Sequence, residues 1–242
     1  MPDVKKKPRL DQLFSNLGYG SRREVHNFLR DSRIEVEGQN DLRADTRVDP
    51  MKVQIDGEKL DAPEGLLVLI NKPLGFVCSH NEQEGRTIFE ILPSRWLNRS
   101  PQVVGIGRLD KDTSGLFLAT DQHELVHQLT SPKNHVEKTY EVSYDGNLPA
   151  DAVQIVSSGN LLLKGDPKPC LPAKLSVHAP TQGLGRATLV LSEGRNLQVR
   201  RMFAALGTRV IKLHRSQFAH ARLEGVGEGQ YKCLPLDFFS KK

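Results

Sequence analysis

Cysteine is scarce in this 242-residue chain: Cys78, Cys170 and Cys233 are odd in number and far apart. That excludes a disulfide framework and a cysteine-built zinc cluster, and leaves each thiol as a small, partly buried hydrophobe. Long apolar runs are missing as well. Nothing approaches the roughly 18 residues of a membrane helix, so no membrane partner is expected. The stretch Met1-Pro2-Asp3-Val4-Lys5-Lys6-Lys7 has no apolar segment after its lysines and does not read as a secretion signal, so cytoplasmic residence is the expectation. No P-loop and no dinucleotide motif occurs, which argues against a nucleotide cofactor. Acid is missing from one long span: between Arg195 and Arg222 there are seven Lys or Arg residues and no Asp or Glu.

What is present is the balance of a globular protein, 38% hydrophobic and 26% charged, long enough for a small and a larger domain. The net charge of +5 is modest but concentrated. Besides the span just named, residues 1–30 hold Lys5, Lys6, Lys7, Arg9, Arg22, Arg23 and Arg30 against Asp3, Asp11 and Glu24. Two positive fields suit a polyanion better than a small neutral substrate. Lys5 to Lys7 read as a flexible basic tail that adds charge and little specificity.

Periodicity divides the chain. Leu10, Leu13, Phe14 and Leu17 fall on one helical face, and Gly18 and Gly20 stop that helix. Ser21 with Glu24 forms a capping box for a second helix whose apolar stripe is Val25, Phe28 and Leu29. Short strands follow at 34–38 and 53–57. This predicts a small α/β unit over 1–60, near the lower size limit for independent folding, with 60–65 as linker. In the larger unit, 61–242, strands are expected at 66–70, 116–119, 138–144, 161–163, 173–177, 187–191 and 210–213, with edge elements near Leu223 and 231–234. Helices are expected at 88–92, after Asp121 as cap, at 149–156 and from about 197 to 206. Many strands with few helices predict an α+β domain on a mostly antiparallel, mixed sheet.

His123-Glu124-Leu125-Val126-His127 matches the zinc metalloprotease pattern. That arrangement wants a long anchored helix, whereas this one holds barely two turns before Pro132. It is read as an amphipathic helix with Leu125, Val126 and Leu129 inward, and no metal site is expected.

The centre of the chain is Gly105-Ile106-Gly107-Arg108-Leu109-Asp110-Lys111-Asp112-Thr113-Ser114-Gly115, followed by Leu116 to Ala119. Glycines bracket a polar bend that enters a strand, where an acid beside Arg108 and Lys111 can be held against a ligand. Gly107-Arg108-Leu109-Asp110 resembles the signature of the pseudouridine synthases, in the branch that modifies bacterial ribosomal RNA. Asn71-Lys72-Pro73-Leu74-Gly75 resembles that branch's opening motif, Glu137-Lys138-Thr139-Tyr140 its tyrosine motif, and residues 193–202, Glu-Gly-Arg-Asn-Leu-Gln-Val-Arg-Arg-Met, its third. The amino-terminal unit resembles the RNA-binding domain first described in ribosomal protein S-four. Leu129-Thr130-Ser131-Pro132, Lys168-Pro169 and Met202-Phe203-Ala204-Ala205 look most like the enzymes of small-subunit (16S) rRNA. Sister enzymes of large-subunit (23S) rRNA share the catalytic residues, and a non-catalytic rRNA-binding or ribosome-assembly protein is the third reading.

The resemblance implies isomerisation of a uridine without cofactor or metal. Asp110 would act at the ribose as nucleophile or base, Arg200 would pair with it, and Tyr140 would stack on the base and help remove the proton from carbon 5. The target must leave its stack first, and Arg108 would hold the vacated space or a phosphate. Lys72, Arg195, Arg201 and Lys212 would line the RNA backbone path, with Arg9, Arg22, Arg23 and Arg33 as a second electrostatic grip. The implied partner is ribosomal RNA, in the small subunit or an assembling particle, and a monomer is expected.

Overall fold

A computed structural model describes residues 7–240, except the side chain of Glu82; Lys5 and Lys6 of the basic tail therefore lie outside the described residues. Helix α1 (Leu10–Asn16) turns Leu10, Leu13 and Phe14 inward. Helix α2 (Arg22–Arg30) starts on the expected capping box, the Ser21 N–H donating to the Glu24 carboxylate at 2.7 Å and the Glu24 N–H to the Ser21 hydroxyl at 3.4 Å. Strands β1 (Ile34–Val36), β2 (Val53–Ile55) and β3 (Glu58–Lys59) pair antiparallel in that order. The helices and this sheet enclose their own cluster of buried side chains, including Phe14, Val25, Val48, Val53 and Leu60.

The larger sheet begins with β4 (Leu67–Lys72), and α3 (Ser94–Leu97) follows. Next come β5 (Val104–Ile106), β6 (Ser114–Thr120), α4 (His123–Thr130) and β7 (Lys138–Asp145). Then α5 (Ala152–Ser157), β8 (Lys174–Thr181), β9 (Leu184–Leu191) and α6 (Gln198–Ala205) lead to β10 (Arg209–Phe218), β11 (Ala221–Arg222) and β12 (Tyr231–Cys233). Nine strands form one sheet in the order β12-β4-β6-β10-β7-β9-β8, with β5 added to β6 and β11 to β10. All pairings are antiparallel except β6 with β10, where Ser114 and Gly115 run parallel to His214 and Arg215. The mixed, mostly antiparallel sheet is the one the strand-rich pattern implied. The α6 residues Val199, Met202 and Phe203 pack into one core with Val142, Leu189 and Leu213 from the face of β7, β9 and β10. Among the described residues no helix is long and apolar enough to cross a membrane.

Three local expectations need correction. Asp121 does not cap α4, whose N-cap is Gln122. Its carboxylate instead takes the Leu66 N–H at 2.8 Å and the buried Arg99 guanidinium at 2.9 Å, with the two ion-paired side chains only 5% and 2% exposed. A cation taken out of water needs a compensating charge more than a helix end needs a cap. Leu161-Leu162-Leu163 is not a strand. Leu161 and Leu163 are buried and Leu162 exposed, as in a strand, but the segment opposite contains Pro169 and Pro172, which have no N–H to give a ladder; the Cys170 N–H donates to the Leu161 carbonyl. Strand β10 runs to Phe218 rather than stopping at Leu213, because β6 and β7 flank its polar half and pair with it.

Candidate active site

The bend from Gly107 to Thr113 joins β5 to β6. Gly107 has φ +70° and Gly115 φ +105°, and a Cβ on Gly115 would run into the carbonyl oxygen of Arg215. Only glycine lets β6 begin this close to β10. A bend leaves main-chain carbonyls without ladder partners, and buried ones must find donors. Here three cations supply donors to carbonyls of the bend and of the strands beside it. Lys72, fully buried, points its Nζ at the carbonyls of Pro73 (3.1 Å), Asp110 (3.2 Å), Lys111 (3.4 Å) and Thr113 (2.7 Å). Arg215, 1% exposed, donates to the carbonyls of Leu116 (2.7 Å) and Gly107 (3.2 Å). Arg200 donates to Asp112 O at 2.8 Å and Val210 O at 3.3 Å. Burial pushes the Lys72 ammonium below the ordinary lysine value, while Cys78, Asp110 and Asp112 act to raise it.

In front of the bend lies a cleft of about 550 Å³ whose lining includes Arg108, Asp110, Thr113, Lys138, Tyr140 and Arg215. Tyr140 of β7 and Arg215 of β10 are cross-strand partners, so their side chains share a face of the sheet. Lys138 is two residues earlier on the same side; burial first, then the Arg215 charge, lowers its ammonium from the ordinary value. Its Nζ donates to Val136 O and sits 5.4 Å from the Phe218 ring centroid. Asp110 is half-buried, and among the described residues its carboxylate has no ion pair. The cleft therefore offers an uncommitted carboxylate, an aromatic ring and a positive wall.

Of the residues anticipated from sequence, Asp110, Tyr140, Arg108 and Arg195 line the cleft; Arg200, Lys72, Arg201 and Lys212 do not. Among the described residues Arg200 makes no ion pair with Asp110; its planar fork is occupied by the carbonyls of Asp112 and Val210. Lys72 is no RNA contact but the anchor of the bend. Arg195 and Arg201 are both tied to Asp166, Arg195 also to Glu193 at 3.1 Å, so their charges are compensated inside the protein. Lys212 is exposed on β10, its strand partner being Ser143. In the small unit Arg22 and Arg23 are exposed, whereas Arg9 is forked onto Asp11 and Arg33 onto Asp56. In α4, His123 Nε2 meets the Gln102 carbonyl at 3.2 Å while Leu129 is buried, and the described residues contain no group of three or more His, Cys, Asp or Glu set to hold a metal ion.

Sequence reading missed Arg215, Lys138 and Thr113. A signal existed for Arg215. Strand parity puts it with Leu213, and a cation on the inward face of a strand is an anomaly that asks for a role. The same parity places Lys72 with Val68 and Ile70.

Residues 66–205 match the family model of RNA pseudouridylate synthase. The chain belongs to this family. As an RNA pseudouridine synthase it is an enzyme that isomerises uridine, and the matched span runs from the start of β4 to the end of α6, taking in the bend, Tyr140 and Arg200. Arg215 lies beyond it. Among relatives, Ribosomal small subunit pseudouridine synthase A of Yersinia pestis is 35% identical over 95% of this chain and 95% of its own. Ribosomal large subunit pseudouridine synthase B of Bacillus subtilis is 31% identical over 93% of this chain and 91% of its own. A crystal structure of pseudouridylate synthase superposes with a TM-score of 0.65 at 31% identity, covering 97% and 99% of the two chains.

Proposed function

We propose that this synthase converts one uridine of ribosomal RNA, in the small subunit, to pseudouridine, with Asp110 acting at the ribose. The observation that carries this is the Asp110 carboxylate: it faces the cleft beside the wall bearing Tyr140 and makes no ion pair among the described residues, while Lys72, Arg200 and Arg215 behind the bend are spent on main-chain oxygens. The reaction breaks the bond between ribose carbon 1′ and uracil nitrogen 1. The base then turns, bonds to carbon 1′ through carbon 5, loses the proton of carbon 5 and gains one at nitrogen 1, so atoms balance without oxidant or energy source. Asp110 serves as nucleophile at carbon 1′ or as the base that opens an elimination. Tyr140 stacks on the uracil and assists departure of the carbon 5 proton, directly or through water. Arg200 contributes by fixing the bend at Asp112.

Extrusion of the uridine costs a few kcal/mol, of the order that phosphate and base contacts return. Arg108, exposed at the cleft, takes the vacated space or a phosphate. Residues 1–60 act as an S-four-like RNA-docking domain, with Arg22 and Arg23 as its free cations. The protein works as a monomer in the cytoplasm, where ribosomal RNA is made and folded. Favouring the small subunit are the 35% identity to the Yersinia pestis relative, against 31% for the large-subunit relative, and the motif details at 129–132 and 202–205.

Mapping pseudouridine in both ribosomal RNAs from cells lacking the protein tests this reading. Loss of one small-subunit site is the expected result. Loss of a large-subunit site instead moves the specificity to the sister class, and an unchanged map with tight RNA binding retained would make the protein a scaffold.

A further inference from the structure

Thr113 closes the turn that opens at Asp110. Its N–H donates to the Asp110 carbonyl at 3.0 Å, and its own carbonyl receives the Lys72 ammonium. The residue is 1% exposed and lines the cleft, yet its hydroxyl oxygen is buried with no hydrogen-bond partner among the described residues. The other buried threonines are all partnered. Thr87 accepts from the Phe89 N–H, Thr120 donates to the Leu66 carbonyl, and Thr208 donates to the Phe203 carbonyl. An orphaned buried hydroxyl lowers stability, and a fold that carries one invites a functional explanation. Three residues away, in the same turn and on the same cleft, the Asp110 carboxylate also lacks an ion pair among the described residues.

We propose that Thr113 is a positioning residue: with RNA in the cleft its hydroxyl, re-aimed by rotation about χ1, donates to the Asp110 carboxylate and fixes its direction toward the ribose. This rests on the reading of Asp110 given above. No proton is transferred; the bond is an O–H donated to an ionised acceptor, among the stronger hydrogen bonds available to a side chain. Its effect belongs to the chemical step, because a carboxylate free to rotate spends much of its time off the line of attack.

Thr113→Val keeps the shape and deletes the hydroxyl, and Thr113→Ser keeps the hydroxyl. Both full-length variants are compared with wild type by thermal melting, by affinity for a small-subunit rRNA transcript, and by single-turnover tritium release from that transcript labelled at uridine carbon 5. The Val variant is expected to melt at or above wild type, since an unsatisfied group is gone, and to bind RNA unchanged. Its single-turnover rate should fall about ten- to a hundredfold. Ser should recover most of that rate. A wild-type rate in the Val variant overturns the proposal. So does a clearly lower melting temperature, which would mean the hydroxyl has a partner in the free protein, or a rate loss that Ser does not rescue, or one matched by weaker RNA binding. Asp110→Asn, run alongside, keeps two failures apart: an active Asp110→Asn sinks the role of Asp110 itself, whereas an inactive Asp110→Asn beside a fully active Thr113→Val sinks only the role of Thr113.

Discussion

The elements packed behind the Asp110 bend and helix α2 of the amino-terminal unit both carry several cations, and they use them in opposite ways. Around the bend, Lys72 and Arg215 are buried and aimed at main-chain oxygens, with Arg200 doing the same from α6. On α2, Arg22 and Arg23 are exposed. Between these extremes stand Arg195 and Arg201, tied to the Asp166 carboxylate. The difference teaches that a basic sequence motif in an RNA enzyme is not by itself an RNA contact. A buried cation shapes the site and its loss is felt in stability; an exposed one attracts phosphate and its loss is felt in affinity.

The largest effect should come from the buried side. Lys72→Met removes the ammonium shared by the Pro73, Asp110, Lys111 and Thr113 carbonyls, of which Asp110 and Lys111 keep an N–H donor, from Thr113 and Gly75. The loss is about 3 kcal/mol, which for a chain this long lowers Tm by about 10 °C. Thermal melting reads this directly, and a Tm within a degree of wild type would break the contrast. RNA affinity measured well below that Tm should stay near wild type.

The intermediate class shows itself in pH. The Arg201 and then the Arg195 hydrogen bonds hold the Asp166 carboxyl below its ordinary value of 3.8. A carboxylate whose folded pKa is depressed stabilises the fold fully above its unfolded pKa, and that contribution is lost as pH falls through the folded value. Wild type should therefore lose stability below about pH 4 more steeply than Asp166→Asn, while the gap between them stays constant at neutral pH. Parallel acid melting curves would place Arg195 and Arg201 with the free cations.

On the exposed side, Arg22→Gln with Arg23→Gln should leave stability within about 0.5 kcal/mol of wild type. The dependence of log K on log salt should become shallower by about one to two, with the rate at saturating RNA unchanged. The smallest effect is expected from Lys212→Gln, a change in that slope of about one or less with Tm unaltered. If Lys212→Gln outweighed the α2 pair, the main docking surface would lie on the large sheet instead.

Local patterns were legible in the sequence, and long-range ones were not. The Ser21–Glu24 capping box, the inward stripe of α1 and the inner side of α6 follow from residues within a turn or two of each other, and each is found as expected. The polar stretch His214 to Gln217 reads as surface until β6 and β7 are known to flank it. Leu161 to Leu163 has the burial alternation of a strand, but the proline-bearing segment opposite gives it the Cys170 N–H rather than a ladder. In the site, the motifs located the bend and Tyr140, yet they could not tell a cation that points at RNA from one that points at a carbonyl. That distinction depends on partners such as Gly107 and Arg215, 108 residues apart.

The most direct test of the whole is Asp110→Asn, which keeps the size of the side chain and removes its charge. Tritium release from carbon 5-labelled small-subunit rRNA should fall by at least about a thousandfold while RNA affinity and Tm stay at wild-type values. Residual activity within about tenfold of wild type would contradict it and leave the cleft without its reactive group.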